Sequence, residues 1–180
     1  MTAGRLLTDA LRACIGKEVE YIAPEELGQA SIRYYATALG DDNPLYHDAD
    51  FAARTRFGGI VAPPTLVCET NQFYRRAPDE LGYAGHLWEL PLPVPCRMVR
   101  GGNDYRFYEP VRPHDRIRVV WRLADIVERQ TRTRGLVLFV TSEVSYYRLS
   151  DGALLATNVE TNIYEPLEPV GADEGGGSDG

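Results

Sequence analysis

The stretch Ile117-Arg118-Val119-Val120-Trp121-Arg122-Leu123 decides the fold class of this chain. Its apolar residues recur at every second position and are separated mainly by arginines. This period of two predicts a strand with one buried face and one face in solvent. Two further runs rich in β-branched and aromatic residues cover 136–149 and 153–164. Between them, Ser150-Asp151-Gly152 predicts a tight hairpin turn, because Asp-Gly tolerates the positive φ angles that such turns require.

The period of the apolar residues changes upstream of these strands. Strand-like sequence begins at 105–108, and the segment 81–95, interrupted by glycines and prolines, predicts a long connection before it. Another helix is predicted from about Pro63 to Arg76, because proline is tolerated in a first helical turn. Nearer the N-terminus, apolar residues follow the spacing of helices over 6–16, 25–39 and 48–54.

Helices first and antiparallel strands afterwards predict an α+β domain, in which helix packs on one face of a sheet. The 180 residues, of which 44% are hydrophobic, suffice for one substantial core. We expect a single domain over 1–168. The tail 169–180 is rich in glycine and acidic residues, and we expect it to be disordered because it has too few apolar side chains to pack.

Composition argues against several classes of function. The formal net charge of -7 at pH 7 disfavours a nucleic-acid partner, since such binding depends on Lys and Arg that neutralise phosphates. No apolar run approaches the roughly 18 residues of a membrane span, and the N-terminus lacks the pattern of a secretory leader, so we expect a cytoplasmic protein. The three cysteines lack metal-ligand spacing, and no glycine-rich phosphate loop is present. We therefore expect no metal and no cofactor.

The loop Gly40-Asp41-Asp42-Asn43-Pro44-Leu45-Tyr46-His47 carries the strongest functional signal. Together with Tyr35, it resembles the signature of the MaoC-like (R)-specific enoyl-thioester hydratases, in which an aromatic residue precedes Gly-Asp-x-Asn-Pro-x-His. Tyr46 stands where that signature has its catalytic histidine. A histidine follows at His47, five residues after Asp42, so the family's Asp-to-His interval is present but shifted by one residue.

Three further blocks, 15–17, 58–65 and 105–115, extend the resemblance over nearly the whole chain. With 34–46, they resemble the FAS1-like dehydratase branch of the MaoC superfamily, in which a tyrosine at the histidine position, followed by Ala-Pro-Pro-Thr, is usual. The resemblance implies a hotdog fold, whose central helix, here about 63–76, lies in the curve of the sheet. It also implies a chain that binds acyl thioesters of CoA or acyl-carrier protein, while a second MaoC-like hotdog subunit performs the chemistry.

The chemistry of hydration explains the importance of Tyr46. Hydration of an enoyl thioester needs an Asp and a His that hold one water, and hydrogen-bond donors for the thioester oxygen, where negative charge develops. In catalytic members, the donor resembles a backbone N–H at the start of the central helix. The matching residues here are Val61-Ala62-Pro63-Pro64, and proline has no N–H. The missing histidine and the missing donor both predict a poor catalyst when the chain acts alone.

The candidate catalytic residues are therefore Asp42 and His47, which have a role only if a one-residue bulge brings both side chains to the water and turns Tyr46 outward. The alternative for His47 is a solvated loop histidine without a catalytic role. Asn43-Pro44 is expected to stabilise a turn in either case. By the same resemblance, the candidate substrate-binding residues are Asp41, Asn43, Tyr46, Gly59, Ala62, Pro63, Pro64 and Thr65.

The main hypothesis is an acyl-binding subunit of a heteromeric hydratase or dehydratase, in a heterodimer or heterotetramer, with a homodimer left open. A non-enzymatic acyl-CoA-binding module is the alternative from another class, and a hotdog thioesterase has no support from the loop. His86 and His114 are expected at the surface. We expect four strand tyrosines to pack across strands rather than to line an acyl tunnel: Tyr105, Tyr108, Tyr146 and Tyr147.

Overall fold

The fold is built on one five-stranded antiparallel sheet. A computed structural model describes residues 5–69 and 85–170 of the chain. The spatial order of the strands is β1-β3-β4-β5-β2, so that β1 and β2 form the two edges. The strands are β1 (Glu18–Ile22), β2 (Cys96–Phe107), β3 (Ile117–Thr131), β4 (Gly135–Arg148) and β5 (Leu154–Pro166).

The three strands predicted from the period of two are confirmed. In β3, Ile117, Val119 and Leu123 are each 0% exposed, while Arg122 faces solvent. The predicted Asp-Gly turn joins β4 to β5, and Gly152 has a φ of 75°. β3 is longer than predicted and runs to Thr131, because a bulge between Leu123 and Asp125 interrupts the alternation from which its length was predicted.

β2 is the main difference from the sequence-based prediction. It begins at Cys96, well before the predicted start at 105. Its first half is exposed, contains Gly101 and Gly102 and has a register shift between Arg100 and Gly102, so it shows no run of alternating apolar residues. An edge strand needs only one neighbour, here β5, and its sequence is correspondingly less constrained.

The helices lie before the long strands, as predicted, but the first three are shorter than predicted. α1 (Asp9–Arg12) is only part of the predicted 6–16, and the Thr8 side chain caps it. α2 (Gln29–Leu39) begins four residues later than predicted, after Gly28, and ends at Gly40, which is left-handed with a φ of 69°. α3 (Ala49–Ala53) begins after Asp48, whose side chain accepts a hydrogen bond from the Phe51 N–H.

α4 (Leu66–Glu69) occupies the beginning of the predicted central helix. Pro63 and Pro64 precede α4 in a turn, in which the Leu66 N–H donates to the Pro63 carbonyl over 2.9 Å. The rest of the predicted helix, to Arg76, lies outside the described residues, as do 81–84 and 171–180. None of the helices described within 5–69 and 85–170 is long and apolar enough to cross a membrane.

Two hydrophobic clusters cover the buried face of the sheet. The first cluster joins α2 and α4 to the sheet, with Ile32, Val67, Trp121 and Tyr146 among its members. The second cluster joins α1 to the other end of the sheet, with Leu11, Leu123 and Leu138. Trp88, from the connection before β2, packs against both clusters. The first cluster also contains the residues that position the candidate site.

Candidate functional site

The loop after α2 is held by its own side chains. The Asn43 side-chain oxygen accepts a hydrogen bond from the Leu45 N–H over 3.0 Å and caps a 3₁₀ turn, Pro44–Tyr46. The Asp41 carboxylate accepts from the Asn43 N–H over 3.1 Å. The expected structural role of Asn43-Pro44 is therefore present, and the turn sends Tyr46 towards the core.

Tyr46 is buried, with 8% of its surface exposed, and packs in the first hydrophobic cluster. Burial raises the pKa of its hydroxyl above the ordinary 10.0, and the nearby Asp41 carboxylate raises it further. A neutral phenol at this position can donate or accept a hydrogen bond but cannot act as a base near neutral pH. The position of the family's catalytic histidine is thus occupied by an inward-facing, protonated tyrosine.

Asp42 and His47 are both exposed. His47 Nε2 lies 3.2 Å from the backbone oxygen of Asp41. Within the part of the chain that the structure describes, no hydrogen bond or ion pair joins the side chains of Asp42 and His47. The arrangement in which Tyr46 turns outward and His47 inward is not the one seen here, because the 3₁₀ turn directs Tyr46 to the core instead.

The segment before α4 forms the other side of the site. The Ala62 N–H donates to the Val111 carbonyl over 2.8 Å and is therefore already used. Pro63 is buried and has no N–H to offer. The Thr65 hydroxyl lies 2.9 Å from the Tyr35 hydroxyl and ties the start of the central helix to α2. Over 62–64, the backbone therefore offers no free N–H, since that of Ala62 is bonded and the next two residues are prolines.

A cavity of about 470 Å³ lies between these two segments. Of the predicted substrate-binding residues, Tyr46, Ala62 and Pro64 line it. The other predicted residues, Asp41, Asn43, Gly59, Pro63 and Thr65, are not among its lining residues, and neither are Asp42 and His47. The cavity's walls are mainly apolar and aromatic, which suits an apolar ligand more than a small polar one.

Several lining residues were missed by the sequence analysis. Phe57 and Arg56 come from the loop after α3, and the Arg56 guanidinium lies 4.8 Å from the centre of the Phe57 ring. Arg112 fixes this loop, because its guanidinium donates to the Phe57 carbonyl over 2.7 Å. Phe107 and Glu109 come from the end of β2 and the turn that follows. The blocks that carry the resemblance include 105–115 but not Arg56 and Phe57, and nothing in the sequence alone indicated that the two segments face each other.

The strand tyrosines divide into two groups. Tyr108 is 54% exposed and lines the cavity, in contrast to the packing role that we expected. Tyr146 and Tyr147 pack as predicted, whereas the ring contact of Tyr105 is with Phe107 of its own strand. Tyr146 is 1% exposed, Tyr105 stacks on Phe107 with ring centres 5.9 Å apart, and Tyr147 lies under the Arg118 guanidinium.

His86 is not the surface residue that its glycine-rich surroundings suggested. Its Nδ1 lies 2.7 Å from the Tyr21 hydroxyl, and its ring packs edge-on against Trp88 and tilted against Trp121. His86 is therefore half-buried, and its contacts with Tyr21 and Trp121 cannot be inferred from the local sequence. His114 is exposed, as predicted.

An antiparallel sheet in this strand order, with a helix beginning against its buried face and a hydratase-like loop beside it, defines a MaoC-like protein of the hotdog class. The family model described as "FAS1-like, dehydratase domain region" matches residues 13–157. The chain belongs to this family.

Relatives and solved structures agree with this assignment. UPF0336 protein SCO4636 of Streptomyces coelicolor is 33% identical over 110 residues, which cover 60% of this chain and 67% of that protein. The MaoC-like dehydratase of Rhodospirillum rubrum superimposes with a TM-score of 0.62 at 18% identity, over 91% of this chain and 98% of the other. The HadBC (3R-hydroxyacyl-ACP dehydratase) complex of Mycobacterium tuberculosis gives a TM-score of 0.62 at 19% identity, over 83% and 96% of the two chains. At such identities the two structures support the hotdog fold alone.

Proposed function

We propose that this chain is the acyl-binding subunit of a heteromeric (R)-specific enoyl-thioester hydratase or 3-hydroxyacyl-thioester dehydratase. A second MaoC-like hotdog chain supplies the catalytic Asp and His. The observation that carries the proposal is the burial of Tyr46 in the wall of a mainly apolar cavity, at the position of the family's catalytic histidine. This chain therefore has an apolar cavity, but a tyrosine stands where the family's signature has its catalytic histidine.

The backbone around α4 supports the same proposal. Removal of one oxyanion donor from an enzyme typically costs about 2.7 to 4 kcal/mol of transition-state stabilisation. The N–H of Ala62 is bonded to Val111, and the next two residues are prolines. Among the described residues, the positions that match the family's base and oxyanion donor thus hold Tyr46 and a segment without a free N–H, which supports a partner that supplies both. The ligand class, an acyl thioester, rests on membership of the family and on the cavity's apolar lining.

The open edge of the sheet supports the need for a partner. Among the described residues, β2 pairs only with β5, so its other edge leaves backbone N–H and C=O groups without strand partners. Val99 on this strand is 39% exposed. A long edge strand with exposed apolar side chains is suited to pairing with a strand of another chain. The solved HadBC structure is itself a complex of dehydratase chains.

The test is a comparison of the chain alone with the chain coexpressed with candidate MaoC-like partner chains. Hydration of crotonyl-CoA and of longer enoyl-CoA thioesters is followed by loss of the enoyl absorbance. We expect negligible turnover by the chain alone, copurification of the two chains, and turnover by the complex that is lost when the partner's catalytic Asp or His is replaced.

Two results would count against the proposal in different ways. Robust turnover by the isolated chain, abolished in Asp42→Ala and in His47→Ala, would establish the shifted pair as catalytic. Binding of acyl-CoA without turnover in the presence of every MaoC-like candidate partner would favour the non-enzymatic binding module instead.

A further inference from the structure

A row of buried polar side chains runs along β5, with one neighbour on β4, between the two hydrophobic clusters. This polar row consists of Ser142 on β4 and Asn158, Glu160 and Asn162 on β5. Their exposed fractions are 1%, 3%, 8% and 8%, respectively. Ser142 lies directly opposite Glu160 in the strand register. Strand positions that face a core are normally apolar, so four adjacent polar residues need an explanation.

The hydrogen bonds of the polar row leave acceptors unused. The Asn162 amide donates to Glu160 Oε1 over 2.8 Å, and the Asn158 amide donates to the Asn103 side-chain oxygen over 2.9 Å. The side-chain oxygens of both Asn158 and Asn162 are buried and have no hydrogen-bond partner. No ion pair with Glu160 occurs in the described part of the chain. Buried acceptors without donors are unfavourable, so this row favours a ligand that brings a donor.

The polar row lies farther along the face of β2 and β5 on which the candidate cavity ends, although none of its four residues lines that cavity. Phe107, which lines the cavity, lies opposite Ala156. Tyr105 stacks on Phe107 and lies opposite Asn158, and Asn103 lies opposite Glu160. Tyr105 and Asn103 are two and four positions from Phe107, and a rise of about 3.4 Å per residue places Asn158 and Glu160 roughly 7 and 14 Å from the cavity. A medium-length acyl chain spans these distances.

We propose that the polar row is a subsite for a hydroxyl group carried by the distal part of the acyl chain. This inference rests on the proposed function and names its substrate class. The hydroxyl hydrogen is donated to the Asn158 or Asn162 oxygen or to the Glu160 carboxylate, while the rest of the chain lies on the aromatic residues nearer the cavity. The acyl group selected by this chain is therefore hydroxylated rather than a plain alkyl chain.

The test compares two ligands of equal length on the full chain, or on its complex if the partner copurifies. Decanoyl-CoA and ω-hydroxydecanoyl-CoA are titrated by calorimetry and by intrinsic fluorescence. The chain has two tryptophans, and Trp88 donates to the Ser142 hydroxyl over 2.9 Å, so its emission reports on the polar row. We expect the hydroxylated ligand to bind on the order of tenfold more tightly, the ratio that one gained hydrogen bond supplies.

Two variants test whether the polar row causes the preference for the hydroxylated ligand. Asn158→Ala removes one acceptor that has no partner, and Glu160→Gln replaces the second carboxylate oxygen by an amide donor while keeping the bond from Asn162. Each is expected to reduce the preference for the hydroxylated ligand several-fold and to leave decanoyl-CoA binding nearly unchanged. Thr161→Val is the matched control, because Thr161 lies between the same residues of β5 but on its opposite face.

Equal affinities of the two ligands for the wild-type chain would overturn this inference and leave the proposed function intact, and ordered water would then satisfy the polar row. A preference that survives unchanged in both folded variants would also overturn it. Failure of both ligands to bind would contradict the proposed function itself. The wild-type comparison needs no variant, so a variant that fails to fold does not prevent the decision.

Discussion

The Ala62 N–H donates to the Val111 carbonyl over 2.8 Å, and the two residues after it, Pro63 and Pro64, have no N–H. This bond and the prolines after it mean that replacement of Tyr46 alone cannot rebuild the site. For Tyr46→His we therefore expect the isolated chain to stay at least about 100-fold below a catalytic MaoC-like hydratase, the loss typical of one missing oxyanion donor. The measurement is crotonyl-CoA hydration by the purified variant, and efficient turnover would show that a donor exists elsewhere.

Asp42 and His47 are expected to be dispensable. Both side chains are exposed, and neither lines the cavity. In the complex with the partner chain, Asp42→Ala and His47→Ala should change kcat/KM by less than about twofold, because surface substitutions away from a site have small effects. Tyr46→Ala, which opens the cavity wall, is the contrasting variant and should raise KM for acyl thioesters. A loss of 100-fold or more in kcat/KM for Asp42→Ala or His47→Ala would assign catalysis to these two residues.

The sequence predicted the sheet better than it predicted the site. β3, β4 and β5 carry alternating apolar residues, and this local pattern is itself what burial of one face requires. β2 was predicted only in part, since an exposed edge strand with two adjacent glycines has no such pattern. The turn at Asn43-Pro44 was predicted, because the Asn43 cap and the following proline act within a few residues.

The other wall of the site could not be predicted in this way. Phe57 and Phe107 meet at the cavity although 50 residues separate them, and only the folded sheet brings their segments together. The same holds for His86, whose burial depends on Tyr21 and Trp121. Burial of the β5 residues of the polar row was not predicted, because asparagine and glutamate at every second position are typical of a solvent-facing strand surface.

Tyr146 should make the protein sensitive to alkaline pH. Burial raises the pKa of its hydroxyl well above the ordinary 10.0, and the neighbouring Cys68 adds to the shift. Because the pKa of Tyr146 is higher in the folded than in the unfolded chain, the stabilisation that the protonated hydroxyl gives the fold is complete below pH 10. Above it, the unfolded chain loses the proton first, and stability falls by about 1.4 kcal/mol per pH unit up to the folded-state pKa.

Thermal unfolding between pH 8 and pH 11 tests this expectation. Tyr146→Phe should flatten the alkaline decline in melting temperature, because phenylalanine has no proton to lose. Tyr34→Phe, at a position that is 66% exposed, is the control and should leave the decline as in the wild type. An unchanged decline in Tyr146→Phe would mean that other groups govern the alkaline limit.

The edge strand β2 should carry the contact with the partner chain. Val99→Glu places a charge on this edge, where we expect copurification with the partner to fall by at least tenfold, because burial of an unpaired charge is costly. Ile22→Glu is the matched control, since Ile22 is 43% exposed on β1, at the opposite edge of the sheet. Both variants should fold, as judged by circular dichroism. Equal loss of the partner in the two variants would place the interface away from β2.

Arg148 and Asp115 form the ion pair on which we expect stability to depend most strongly. Asp115 is 3% exposed, and its carboxylate lies 3.2 Å from Arg148 Nε and accepts a hydrogen bond from the Arg112 N–H. Removal of one partner from a buried pair leaves an uncompensated charge and typically costs about 3 to 5 kcal/mol. We therefore expect Arg148→Gln to lower the free energy of unfolding by about 3 kcal/mol in urea titrations. Arg122→Gln is the control, because Arg122 pairs with exposed Glu143 and should cost less than about 1 kcal/mol. Equal losses in the two variants would show that burial of Asp115 does not depend on its charge partner.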